Sequence, residues 1–367
     1  MNDPKRRDCR HFIGDRPCGR GTDCSECAKY APMGARIAIV KLAAAGDVLR
    51  TTAVLPPLKR SYPDSQITWI ADNGALPLVA GHPLVDRALP FAFDTWITLS
   101  AETFDLVLSL DKEPRAAAFA AGLEAGERRG FAPTRWGTLE AFNEGAQYDL
   151  DLGRSNDMKF RQNRLTAPEI FCRTAGLPYG GEPYELRVPD ASIGRARAFL
   201  AQLELSEPAV GLNVGAGPVF ANKAWTIDGY ADLARRIAAD LGGSAVVLGG
   251  QGDRDRMEGV IERSDGAAVD GGTHELLDFA AVVGSMDATV TGDTMGLHIA
   301  VALGVPTVAI FGPTAPQEID LYGRGRKIVT TVDCAPCYAR SCDRSPTCMD
   351  AVSVDEVFEA LREVLAE

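Results

Sequence analysis

Residues 36–61, RIAIVKLAAAGDVLRTTAVLPPLKRS, decide the fold. A short apolar run (36–41) follows a polar leader, and LAAAGD then makes a glycine-containing turn. Asp47 to Ser61 reads as a helix with Val48, Leu49, Val54, Leu55 and Leu58 on or near one face, disturbed by Pro56 and Pro57. Strand, tight turn and helix form the repeating unit of a parallel α/β sheet. Outward from it the alternation continues, with strands at 66–71, 86–91 and 105–110 and a helix at 113–123. The stretch 134–157 is polar and less regular, and 160–175 reads as a helix ended by Gly176 and Pro178. GLPYGGEPYELRVPD (176–190) is rich in Gly and Pro and reads as a linker. A second alternation follows, with strands at 209–214, 244–249, 267–270, 288–291 and 307–311. Its helices fall at 226–240 and near 253–263, 274–284 and 294–303, and Ser353 and Glu356 form a capping box for a last one at 353–366.

The 367 residues suggest two domains, at about 150 residues each. The chain carries 38 Lys and Arg against 50 Asp and Glu, a net charge of −12, which disfavours a protein built to grip nucleic acid. No apolar run reaches the roughly 18 residues of a membrane span, and the charged leader lacks the apolar segment of a signal peptide. These features predict a cytoplasmic protein.

The nine cysteines are unevenly placed. Cys9, Cys18, Cys24 and Cys27 lie in the leader, Cys334, Cys337, Cys342 and Cys348 lie near the end, and Cys172 stands alone. In a reducing compartment, Cys-x-x-Cys beside two further cysteines reads as a metal site. Each quartet is therefore expected to hold a structural zinc, with iron or an iron–sulfur cluster compatible with the same ligands and unligated thiols as the alternative.

Neither GxxxxGK[ST] nor a strand leading into GxGxxG is present, and no GxSxG accompanies the four histidines. Two strand-to-helix turns remain. In KLAAAGDVLRTT (41–52), small residues such as Gly46 let backbone approach a ligand, and Asp47 reads either as a helix cap or as a base for a hydroxyl nucleophile. In TGDTMGLHIAVALG (291–304), Gly292, Thr294 and Gly296 suit a helix N-terminus that holds a diphosphate, with His298 able to donate to the same oxygens. Asp293 or Thr294 as a plain cap, and His298 as a structural histidine, is the alternative. The glycine-bearing turn NVGAGPVFANKAW (213–225) adds Lys223 as a positive charge for phosphate.

Together these motifs resemble glycosyltransferase family 9, the lipopolysaccharide heptosyltransferases. The pattern [KR]-x-S-x-x-G-D appears as Lys41 to Asp47 with Ala43 in place of serine, and K-x-W as Lys223-Ala224-Trp225. D-[ST]-G-x-x-H corresponds to Asp293–His298 with its glycine one place later, and P-x-x-x-x-[FY]-G-P-T to Pro306–Thr314. The resemblance implies the B-type glycosyltransferase fold, an α/β architecture of two Rossmann-like domains with parallel sheets facing a central cleft. Its segments would be a Cys-rich leader (1–35), an acceptor domain (36–180), a donor domain (181–350) and a C-terminal helix (351–367) crossing back to the first domain.

The resemblance also implies roles. Asp47 would be the general base, and Lys223, Asp293, Thr294, Gly296 and His298 would hold a nucleotide-diphosphate sugar. Asp111 is a second-choice acid/base or acceptor contact, and Asp253 a ribose contact. No catalytic metal is required. The expected reaction is inverting transfer of a sugar, heptose from ADP-heptose, to a lipopolysaccharide-type or other lipid-linked glycan at the cytoplasmic face of the inner membrane. A basic start (Lys5, Arg6, Arg7, Arg10, Arg16, Arg20), opposed by nearby acids, reads as a solvated face, with a peripheral membrane contact as the alternative. A nucleotide-sugar epimerase or hydrolase, or a non-catalytic metal-stabilised binding protein, are the competing readings.

Overall fold

The computed structural model describes residues 6–20, 23–217 and 220–367, so Lys5 and two residues of the 213–225 turn lie outside the described residues. The chain divides into two compact units. The first comprises the chain up to Ala43, Ala53–Asp151 and Ile170–Glu182; the second comprises Ala44–Thr52, Leu152–Glu169 and Pro183–Glu367.

The first unit contains β1 (Arg36–Val40), β2 (Gln66–Ala71), β3 (Arg87–Pro90), β4 (Thr103–Ser109), β5 (Glu124–Pro133) and β6 (Leu139–Ala141). Their order is β3-β2-β1-β4-β5-β6, parallel except for the antiparallel β5–β6 pair. The second unit contains β7 (Ala209–Asn213), β8 (Ser244–Leu248), β9 (Ala268–Asp270), β10 (Ala288–Gly292), β11 (Thr307–Phe311) and β12 (Gly325–Val329). Its order, β12-β11-β10-β7-β8-β9, is parallel throughout. Both orders reverse once, between β1 and β4 and between β7 and β10, as in the Rossmann fold, and ligands bind beyond the strand ends at such a reversal. The central strands β7, β10 and β11 are buried along their whole length, which is why no charged residue interrupts them.

Several boundaries differ from the sequence reading. The helix expected over 47–61 is two helices, Ala45–Thr51 and Leu55–Ser61, joined by a 3-10 turn. Pro56 and Pro57 fall in the first turn of the second helix, where a missing N–H costs little. The helix expected over 160–175 is a π-turn, Met158–Gln162, followed by Ala167–Thr174. The polar 134–157 stretch contains β6 and a helix, Glu144–Arg154, which buries Ala146 and Leu150 against Phe131. Strands β5 and β12 and helix Asp190–Leu200 were also missed. Charged residues hide the alternation in β5, and β12 is a short edge strand with Arg326 and Lys327 on it.

The C-terminal helix Val354–Ala366 has the expected Ser353–Glu356 capping box and buries Val357, Phe358, Leu361 and Val364 in the second unit's core with Trp225 and Tyr230. Among the described residues, no helix is long and apolar enough to cross a membrane.

Candidate active site

In the first unit, the end of β1 meets the end of β4. Asp111 Oδ2 accepts the backbone N–H groups of Leu42 (2.9 Å) and Ala43 (3.0 Å) and pairs with Lys41 Nζ at 3.4 Å. Both side chains are buried. Lys41 Nζ also donates to Ala43 O at 2.6 Å. Asp111 thus fixes the loop that leads into Gly46-Asp47.

Helix Ala45–Thr51 follows, within the second unit. Its N-cap is Ala44, so Asp47 is a first-turn carboxylate rather than the cap. One turn on, Arg50 Nη2 donates to Asp47 Oδ1. Burial works against the Arg50 charge, but Asp47, Asp293 and Glu318 more than restore it and raise its pKa. Gly46 allows this helix to lie on the His298 ring: a Cβ there would stand 2.6 Å from His298 Cδ2.

The second unit's own site lies at the β7–β10 reversal. Asn213, the last residue of β7, donates from Nδ2 to Thr291 Oγ1 (2.9 Å) and Thr294 Oγ1 (2.8 Å). Thr294 is the N-cap of helix Met295–Leu303, but its side chain, held by Asn213, does not cap the helix. The first-turn amides therefore receive no side-chain cap, at the positive end of the helix dipole where an anion could be held. Lys223 Nζ lies 3.3 Å from Asp293 O and 3.4 Å from Asp293 Oδ2. Burial pushes the Asp293 carboxyl up, and Lys223 and Arg50 overcome this to hold it below the usual range. His298 Nε2 stands 3.7 Å from Asp293 Oδ1, and burial, helped by Arg50, lowers its pKa to about 3. His298 is therefore a neutral imidazole that faces Asp293 and Gly46.

Beyond Thr294 and Gly296 opens a cavity of about 380 Å³, lined also by Gly215, Gly250, Asp253, His274 and Phe279. That size suits a small ligand. Asp253 lines it but already accepts Gly250 N–H at 2.9 Å, so one of its oxygens holds the turn.

An outer group escaped the sequence reading. Lys159 Nζ lies 3.7 Å from Glu318 Oε1, and Tyr338 donates its hydroxyl to Glu318 Oε2 at 3.2 Å. Asp47, Asp293 and Glu318 thus face Arg50, Lys223 and Lys159, three carboxylates against three cations. Asn213 could have been suspected as a polar residue closing an apolar strand. Lys159 and Glu318 carry no local signal.

Each cysteine quartet gathers. Cys9, Cys18, Cys24 and Cys27 line one cavity, and Cys334, Cys337 and Cys342 lie close enough to Cys348 to help burial push its thiol pKa up. Among the described residues, however, no three His, Cys, Asp or Glu side chains are placed to hold a metal ion. The two zinc clips expected from spacing are not seen: Cys-x-x-Cys brings thiols into one neighbourhood without making their sulfurs converge.

The site offers a carboxylate held by an arginine, and a lysine and helix N-terminus suited to a diphosphate. A family model described as glycosyltransferase family 9 (heptosyltransferase) matches residues 93–347. Lipopolysaccharide heptosyltransferase 1 of Pseudomonas aeruginosa is 26% identical over 337 residues, covering 85% of this chain and 88% of the relative. A glycosyltransferase family 9 structure from Veillonella parvula matches with TM-score 0.72 at 19% identity, over 90% of this chain and 97% of that one. The Escherichia coli ADP-heptose lipopolysaccharide heptosyltransferase II structure matches with TM-score 0.64 at 21% identity, over 90% and 98%. The two structural likenesses show the fold, the two-sheet B-type architecture.

Proposed function

From the premise that the chain belongs to glycosyltransferase family 9, we propose that it transfers a heptose from ADP-heptose to a lipopolysaccharide-type acceptor, inverting the anomeric carbon. The names of the curated and structural relatives support the donor and the class of acceptor. One observation carries the reading: Asp47, Lys223 and the open N-terminus of helix Met295–Leu303 belong to one polar cluster of the second unit.

Asp47 takes the proton from the acceptor hydroxyl as that oxygen attacks the sugar. The Arg50 guanidinium paired with Asp47 fixes the carboxylate in direction and gives it a counter-charge. On the opposite face of the sugar the diphosphate leaves, and its growing charge meets Lys223 and the first-turn amides of the helix. Lys223 must then exchange part of its contact with Asp293 for a phosphate oxygen. The cavity beside Thr294 receives the nucleoside. A lipid-linked acceptor places the reaction at the cytoplasmic face of the inner membrane.

Initial rates with ADP-, UDP-, GDP- and dTDP-sugars, each with and without a lipopolysaccharide core acceptor, test the reading. The expected result is turnover of ADP-heptose that depends on acceptor and is lost in Asp47→Asn, with ADP binding retained. Acceptor-independent turnover, or full activity in Asp47→Asn, would overturn it.

A further inference from the structure

The loop 330–352, which carries the second cysteine quartet, is joined to the stretch that bears Lys223. It is first pinned to the end of β11, where Cys337 N–H (3.1 Å) and Tyr338 N–H (2.8 Å) both donate to Pro313 O. Gly312 makes room beneath it, since a Cβ there would stand 2.4 Å from Met349 Sδ and 2.8 Å from Cys348 Sγ.

The same loop then grips Phe220–Trp225 at three points. The Phe220 ring meets Tyr338 edge-on, with centroids 6.1 Å apart. Asn222 Nδ2 donates to Ala339 O at 2.8 Å, and Trp225 Nε1 donates to Val352 O at 3.1 Å. Lys223 lies between the last two anchors. Tyr338 is itself held firmly: its ring stacks on Phe160 at 5.3 Å, Lys159 Nζ sits 3.8 Å from the ring centroid, and its hydroxyl is on Glu318. It adopts φ +52°, an uncommon conformation for a residue with a side chain, of the kind kept where surrounding contacts enforce it.

We propose that the cysteine-bearing loop is the mount of Lys223, and that Asn222 and Tyr338 are positioning residues acting on the leaving diphosphate through that lysine. A lysine is a point charge on a flexible stem, so its aim depends on where its backbone is fixed. A misplacement of about 1 Å near a reacting group can cost about a hundredfold in rate. The loop's role then lies at the chemistry rather than only in tying down a chain end. The inference rests on the reading of Lys223 as a donor-site cation.

The test is a double-mutant cycle on kcat/KM for ADP-heptose, using wild type, Asn222→Ala, Lys223→Ala and the double variant, with melting temperature measured for each. Asn222→Ala is expected to lose about tenfold when Lys223 is present and less than twofold once Lys223 is alanine. Equal losses in both backgrounds, or no loss with Lys223 present, would overturn the mount. Tyr338→Leu, which removes the ring that Phe220 meets, runs through the same cycle and must show the same dependence on Lys223. If Lys223→Ala alone has no effect, the donor-site reading itself fails. If it is impaired while Asn222→Ala and Tyr338→Leu are not, only the mount fails.

Discussion

Replacing Gly46 with alanine probes the contact that sets the position of Asp47. The new Cβ would lie 2.6 Å from His298 Cδ2 and 3.3 Å from Nε2, where carbon atoms ordinarily rest about 3.5–4.0 Å apart. The ring has little room to swing away, because it is 5% exposed and packs edge-on to Tyr184 with centroids 6.4 Å apart. Overpacking of this kind costs roughly 1–3 kcal/mol. At roughly 2–4 °C per kcal/mol for a unit of this size, the melting temperature should fall by about 2–12 °C. If the strain is relieved by moving helix Ala45–Thr51, Asp47 moves with its neighbour, and about 1 Å of displacement predicts a loss near a hundredfold in kcat. Differential scanning calorimetry and initial rates at saturating ADP-heptose measure the two effects, and ADP affinity should change little. A Gly46→Ala protein that melts lower but keeps kcat within twofold would refute the link between this contact and Asp47. Combined with His298→Ala, the substitution should cost nothing beyond the histidine change, because the obstructing ring is gone; additive losses would refute the clash.

Three other outcomes follow from the same geometry. Arg50→Met removes the buried guanidinium that pairs with Asp47 and that helps hold the Asp293 carboxyl below its usual range. The acidic limb of kcat/KM should move up by about one pH unit, equivalent to about 1.4 kcal/mol, with Arg50→Lys in between; an unmoved limb rules out the role given to Arg50. Burial lowers the His298 pKa to about 3 in the folded chain, against 6.5 for a free imidazole, so stability is full above pH 6.5 and drains away as pH falls towards 3, where the unfolded chain takes up the proton first. Unfolding in urea at pH 5 and pH 7.5 should show wild type losing about 2 kcal/mol more than His298→Gln on acidification, and equal losses would contradict it. Asp111→Asn leaves Lys41 buried without its counter-charge and should lower stability by about 3–5 kcal/mol. A melting temperature like that of wild type would show that the Leu42–Ala43 loop does not depend on that carboxylate.

Much of the fold was legible because its signals are local. The apolar runs of β1, β2, β7, β8, β10 and β11 are buried on both faces and bounded by glycine-bearing turns, so each strand declares itself within a few residues. Strands β5 and β12 failed that test because pairing with β4 and β11, not composition, makes them strands. Asp47, Lys223, Thr294 and His298 stand on turn motifs that the sequence marks locally, and the structure brings them into one polar cluster. Arg50 lay in plain view one turn after Asp47, but only its burial among carboxylates gives it significance.

By itself the sequence determined two α/β units, the positions of their strand-to-helix turns and the residue types at those turns, because hydrophobic period and glycine placement act over a few residues. Only the tertiary structure decided that helix Ala45–Thr51 keeps company with the second unit and that Lys159, Glu318 and Tyr338 join its polar cluster. It alone placed the second cysteine-bearing loop against the Phe220–Trp225 stretch that bears Lys223. Ion pairing, desolvation and close packing depend on distances of a few ångströms between residues far apart in the chain, and no local pattern encodes those distances.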